Sequence, residues 1–122
     1  MLIKIDPILG PDVLHTLRAM GHGDKLILCD SNFPAYSMNS LVHRLDGVDA
    51  ARAAKAILSI FPLDSFVEFP ILRMQIDNKP DELNDVHREI MEVTKSVAGE
   101  NWKIGSIERF KFYEEAKKAF SI

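Results

Sequence analysis

A histidine held between two glycines opens the stretch of this 122-residue chain that is richest in usable chemistry. It reads Met20-Gly21-His22-Gly23-Asp24, then the apolar run Leu26-Ile27-Leu28-Cys29, then Asp30-Ser31-Asn32-Phe33-Pro34-Ala35. Imidazole titrates near neutrality and can both donate and accept, which suits general acid–base catalysis. Flanking glycines let backbone and substrate approach closely. The competing reading of His22 is a helix stop and a turn that leave a histidine exposed. Asp30 follows the apolar run, and in open α/β sheets ligands bind beyond the carboxyl ends of strands. Its alternative is a turn aspartate bonded to Asn32 or a nearby amide. Arg109 lies where Ile107-Glu108-Arg109-Phe110 passes from strand to helix. A guanidinium there can bridge adjacent hydroxyls or a ring oxygen, or form a surface ion pair with Glu108 or Glu114. Tyr113, one helical turn on, offers a hydroxyl or only a partly buried ring.

Spacing sets a constraint on these residues. His22 precedes the apolar run and Asp30 follows it, and five extended residues span about 17 Å. For both to touch one small ligand, either the glycine loop folds back or the two come from neighbouring subunits. A site shared at an interface is the favoured arrangement.

Other chemistries find little support. His15, His43 and His87 show neither the H-E-x-x-H pattern nor a pair three to five residues apart, so no metal site is expected. Gly21 and Gly23 follow a helix rather than a strand. The phosphate-loop and dinucleotide fingerprints are absent, and no cofactor is expected. Cys29 is the only cysteine, which leaves no internal disulfide and reads as a small core residue. A net charge of −3 with scattered Lys and Arg argues against a general nucleic-acid binder. No run approaches the roughly 18 apolar residues of a membrane span, and the N-terminus lacks a signal-peptide core. A cytoplasmic protein with no membrane partner is the expectation.

The elements that must position these residues can be read from periodicity. Pro11 suits the first position of a helix carrying Val13, Leu14, Leu17 and Met20 on one face. Gly21 should stop it in a left-handed conformation. Residues 25–29 read as a strand buried on both faces, and 41–45 as a second strand. Residues 50–61 form an alanine-rich helix ended by Pro62. Residues 66–76 hold a strand bent at Pro70, 80–97 an amphipathic helix, 104–107 a strand, and 109–120 a last helix. Ser121-Ile122 reads as the start of another strand, which would be an unpaired sheet edge if cut there. Alternating helices and short apolar strands favour a one-domain α/β sandwich with a largely parallel sheet.

Taken together, these blocks resemble the D-ribose pyranase and L-fucose mutarotase family. The resemblance rests on Met20 to Asp24, Asp30, the Asn-Phe-Pro-Ala of 32–35, Arg44-Leu45-Asp46-Gly47, Pro62-Leu63-Asp64-Ser65, and Ile107 through Glu114 into Lys117-Lys118-Ala119-Phe120. It is collinear over nearly the whole chain. The Phe-Pro-Ala stretch is more similar to the fucose branch. The resemblance implies a three-layer sandwich whose central, largely parallel sheet is flanked by helices. It also implies an isomerase that interconverts sugar anomers without cofactor or metal. His22 would be the catalytic proton donor, Asp30 and Arg109 would bind substrate, and Tyr113 is a further candidate contact. Family members form decameric rings with sites between subunits, so a homo-oligomer is expected. They also continue into a strand bearing Tyr-Gly-Asn, which the 1–122 domain is expected to lack. Three other readings stay open. One is D-ribose pyranase. The second is a non-catalytic monosaccharide-binding accessory protein for uptake, which needs Asp30 and Arg109 but not His22. The third is a purely structural oligomeric scaffold that binds no sugar.

Overall fold

The computed structural model describes residues 1–122. Three of its five helices begin where a side chain satisfies free N–H groups of the first turn. Helix α1 (Pro11–Ala19) starts on its proline. Helix α3 (Ala50–Leu58) is capped by Asp49, whose carboxylate accepts from the Arg52 N–H at 2.7 Å. Helix α4 (Asp85–Ala98) opens with a reciprocal capping box. The His87 N–H donates to Asn84 Oδ1 at 2.8 Å, and the Asn84 N–H donates to His87 Nδ1 at 3.3 Å. Helix α5 (Arg109–Lys118) is capped by the Glu108 carboxylate, which accepts from the Phe110 and Lys111 N–H groups. A single-turn helix α2 (Ala35–Met38), not expected from periodicity, follows Pro34 and packs on α5.

Strands β1 (Ile71–Met74) and β2 (Ile104–Ile107) pair in parallel, in a register running from Ile71–Ile104 to Met74–Ile107. Helix α4 is the crossover between them. Gly105 is required by close approach: a Cβ there would lie 2.7 Å from Leu72 Cδ2 and 2.8 Å from Phe69 Cγ. The expected strand over 66–76 is regular only from 71, because Pro70 has no N–H to give a ladder. Likewise the helix expected from residue 80 begins at 85, where Asn84 supplies the cap.

The segments 25–29 and 41–45, expected as strands, are extended but form no repeating ladder. Each is tied to the last residues of the chain. Leu26 makes one parallel bridge to Ser121. The Phe120 N–H donates to the Lys25 carbonyl at 2.9 Å and the Ile27 N–H to the Ser121 carbonyl at 3.0 Å. On the other side, the His43 N–H donates to the Ile122 carbonyl at 2.9 Å and the Ile122 N–H to the Leu41 carbonyl at 3.1 Å. Residues 120–122 therefore lie between two extended neighbours and are not an open edge; Ser121 and Ile122 are buried. So few bonds cannot extend the regular sheet, which is two-stranded. The helix stop also differs from expectation. Met20 ends α1 in extended backbone, and Gly23, not Gly21, takes the left-handed φ of 83°. The reason is local: the Gly21 N–H is held by Asp24 Oδ2 at 2.8 Å, so the chain turns two residues later.

Ala53, Ala54 and Ala56 are buried in α3, which packs on α4; small side chains let the two helices approach closely. Only 10 of 122 residues are buried, and the large apolar ones among them are Leu9, Leu17 and Ile122. The chain exposes 8382 Å², whereas about 6,600 Å² is expected of a folded monomer of its 13.8 kDa mass.

Candidate functional site

Two regions carry the candidate residues. The first is built from loops. The turn after α1 presents His22, and the loop after α3 presents Asp64. His22 Nδ1 and Asp64 Oδ1 are 2.9 Å apart. The same carboxylate accepts from the Gly23 N–H at 2.9 Å and the Phe66 N–H at 3.0 Å. The Phe66 amide, then the Gly23 amide, then His22 hold the Asp64 carboxyl below its usual range. An ionised Asp64 fixes the tautomer that carries its proton on Nδ1. Nε2 is left with no hydrogen-bond partner, and the imidazole is 73% exposed. The Phe66 ring meets the imidazole edge-on at 4.5 Å. The sequence carries no local signal for Asp64, which lies 42 positions from its partner. Only the family-like Pro62-Leu63-Asp64-Ser65 block pointed toward it.

The second region is built on regular elements. Arg109 Nη1 pairs with Asp77 Oδ2 at 3.0 Å, not with the expected Glu108 or Glu114. Glu108 caps α5, and Glu114 bonds Lys117 at 3.0 Å. Arg109 Nε is buried without a partner. Arg109, Asp77, Gln75, Asn78, Glu108 and Phe110 line a cavity of about 310 Å³. The cavity lies at the carboxyl ends of β1 and β2, where parallel sheets characteristically bind ligands. The Gln75 N–H donates to the Ile107 carbonyl at 2.9 Å and Gln75 Nε2 to Ser106 Oγ at 3.0 Å, which carries the pairing past the ladder.

Asp30 meets its turn reading. Its Oδ1 accepts from the Asn32 N–H at 2.9 Å and the Phe33 N–H at 3.1 Å, while Oδ2 makes no bond. The turn sets Phe33 edge-on to Phe112 at 5.7 Å and to Tyr113 at 5.5 Å. Tyr113 meets Phe110 at 6.3 Å, and the Arg109 guanidinium lies 4.9 Å from the centre of the Phe110 ring. A chain of rings thus ties Asp30 and Tyr113 to Arg109. His22 stands apart from it and bonds neither Asp30, Arg109 nor Tyr113. His22, Asp64, Asp30 and Phe33 do border one large, mostly apolar groove of about 1590 Å³.

The remaining reactive side chains are engaged elsewhere. His43 Nε2 is 2.7 Å from Thr16 Oγ1. Burial, then the charge of Arg73, pushes His87 below the ordinary imidazole value. Burial, then the charge of Asp30, pushes the Cys29 thiol up. Three or more His, Cys, Asp or Glu side chains nowhere converge as a metal would need. No helix is long and apolar enough to cross a membrane.

A loop-held imidazole–carboxylate pair, with donors and acceptors around a cavity at the ends of parallel strands, defines an α/β protein with proton-transfer and hydrogen-bonding groups at its surface. Residues 3–122 match the RbsD / FucU transport protein family, and the chain belongs to that family. It is 39% identical over 124 residues to an L-fucose mutarotase of Actinobacillus pleuropneumoniae serotype 5b (strain L20), spanning 100% of this chain and 85% of the relative. An L-fucose mutarotase of Haemophilus influenzae (strain 86-028NP) is 36% identical with the same coverage. The crystal structure of the fucose mutarotase from Streptococcus pneumoniae in complex with L-fucose superposes with a TM-score of 0.89 at 33% identity, over 99% of this chain and 86% of that one.

Proposed function

We propose that this protein is an L-fucose mutarotase, a cofactor-independent isomerase that interconverts the α and β anomers of a monosaccharide. The observation that carries the reading is the His22–Asp64 pair, an oriented imidazole with one nitrogen free, in a chain 35–39% identical over its full length to proteins of that activity. A pyranose changes anomer by opening and reclosing. With its Nδ1–H held by Asp64, His22 acts as the imidazolium and delivers its Nε2 proton to the ring oxygen, while a base takes the proton of the anomeric hydroxyl and returns it on closure. The C1–O5 bond breaks and the hydroxyl becomes a carbonyl. The aldehyde rotates about its first carbon–carbon bond and the ring closes on the other face, returning the proton to His22. Asp64, kept anionic by two amides, stabilises the imidazolium and fixes its orientation. Asp30 and Arg109 bind sugar hydroxyls, and Tyr113 lies beside them.

In this reading the roles are shared between subunits. The surface excess of about a quarter over a monomer of this size, and the exposed Phe66 and Val67 beside His22, support an oligomer with sites between subunits. A decameric ring is the assembly assigned, and the cytoplasm the location. Exchange NMR with L-fucose, D-ribose and D-galactose tests the activity. Faster anomer exchange with L-fucose than with D-ribose is expected. A folded protein that accelerates neither overturns the enzyme reading, and a stable monomer in native mass measurements overturns the shared site.

A further inference from the structure

The cavity at the strand ends is mostly polar. Gln75, Asp77, Asn78, Glu108 and Arg109 supply donors and acceptors around it, Ile76 and Phe110 are its apolar lining, and Phe110 is its one aromatic ring. Phe110 is 63% exposed, unusual for a large apolar side chain whose backbone is so firmly held. Its N–H is bound by both Glu108 carboxylate oxygens at 3.0 Å. The Arg109 guanidinium lies 4.9 Å from the centre of its ring, and Tyr113 meets it at right angles at 6.3 Å. Such packing orients the ring without burying it. The volume of about 310 Å³ is at the small end of ligand pockets, which suits one sugar ring rather than a chain of them.

We infer that Phe110 is the stacking platform for the apolar face of the sugar bound at Arg109, and so a specificity residue for galacto-configured 6-deoxyhexoses. The inference rests on the substrate-binding role given to Arg109 in the proposed function. In a galacto-configured pyranose the axial 4-hydroxyl lies on one face, which leaves the hydrogens on C3, C4 and C5 together on the other. In L-fucose the C6 methyl extends that patch. D-ribopyranose has no exocyclic carbon and a broken patch. An aromatic face beside hydroxyl-binding groups recognises the first sugar through both of its sides. It recognises the second only through its hydroxyls.

Anomer-exchange kinetics and saturation-transfer NMR on the assembled protein test this. Phe110→Ala is expected to raise KM for L-fucose roughly tenfold with kcat little changed, from the size of aromatic stacking terms. KM for D-ribose should rise much less, and Phe110→Tyr should restore the L-fucose value. In the unaltered protein, saturation should be strongest at the methyl group and the C3–C5 hydrogens. An unchanged L-fucose KM in Phe110→Ala, equal losses for both sugars, or weak saturation of that face overturns the inference. So does a changed native mass, which would make Phe110 a contact between subunits. Saturation transfer reads binding without turnover, so a protein that binds L-fucose by this face but exchanges no anomers would overturn the enzyme reading and leave the platform standing.

Discussion

The two halves of the candidate site are built in opposite ways. His22 and Asp64 come from two turns that meet across 42 positions, on an exposed rim, held by three hydrogen bonds to one carboxylate. Arg109 opens α5 directly behind β2 and the Glu108 cap, and Asp77 sits in the turn closed by the Ile76–Lys79 bridge just past β1. Binding groups gain from a rigid frame because a misplaced donor loses affinity. A proton-transfer group needs less of its surroundings: the right tautomer, one free nitrogen and contact with the ring oxygen. The contrast separates the expected roles, with turnover on the loop side and affinity on the framed side.

That separation can be broken by mutation. The largest effect is expected from His22→Ala, a loss of about 10²–10⁴-fold in kcat for anomer exchange. L-fucose binding should persist by saturation transfer, and a parallel loss of binding would collapse the two roles into one. Asp64→Asn comes next. It keeps an acceptor for the backbone amides but not a charge for the imidazole, and kcat should fall roughly tenfold to a hundredfold with KM little changed. Arg109→Lys should do the reverse. A point charge does not replace a planar fork, so titration of L-fucose should show affinity roughly tenfold weaker, with kcat nearly preserved.

The smallest effect concerns the frame. His87 closes the α4 capping box as an acceptor, which only the neutral ring can do. Its folded-state value lies below the ordinary one near 6.5, through burial first and then Arg73. The unfolded chain therefore binds more protons in the window just under that value, and stability falls as pH drops through it. Thermal melts should show Tm lower by a few degrees at about pH 5 than at about pH 7.5. His87→Gln, which can still reach back to the Asn84 N–H, should flatten that difference. A retained slope would place the titration elsewhere.

What the sequence disclosed divides along the same line. The starts of α1 at Pro11, α3 at Ala50 and α5 at Arg109, and the limits of β2, follow from local signals: a proline, a capping carboxylate, a short apolar run. The family-like blocks around His22 and Arg109 were equally visible. Pairings over distance were not. Nothing near His22 names Asp64, and Asp77 competes unannounced with Glu108 and Glu114 for Arg109. The runs 25–29 and 41–45 are apolar enough to be strands, but a ladder depends on the register of neighbours, which periodicity does not carry. The left-handed turn falls at Gly23 rather than Gly21, and the bond that decides it comes from the Asp24 side chain, which periodicity does not show.

The seam between 25–27 and 41–43 has a consequence for biosynthesis. Its filling strip includes Ser121, whose Oγ bonds the Leu41 carbonyl across 80 positions. A ribosome adding roughly 5–20 residues each second leaves the nascent N-terminal third without that strip for several seconds. Over that interval residues 25–27 and 41–43 lack the backbone partners that 120–122 supply, so this layer can close only after those residues have been made.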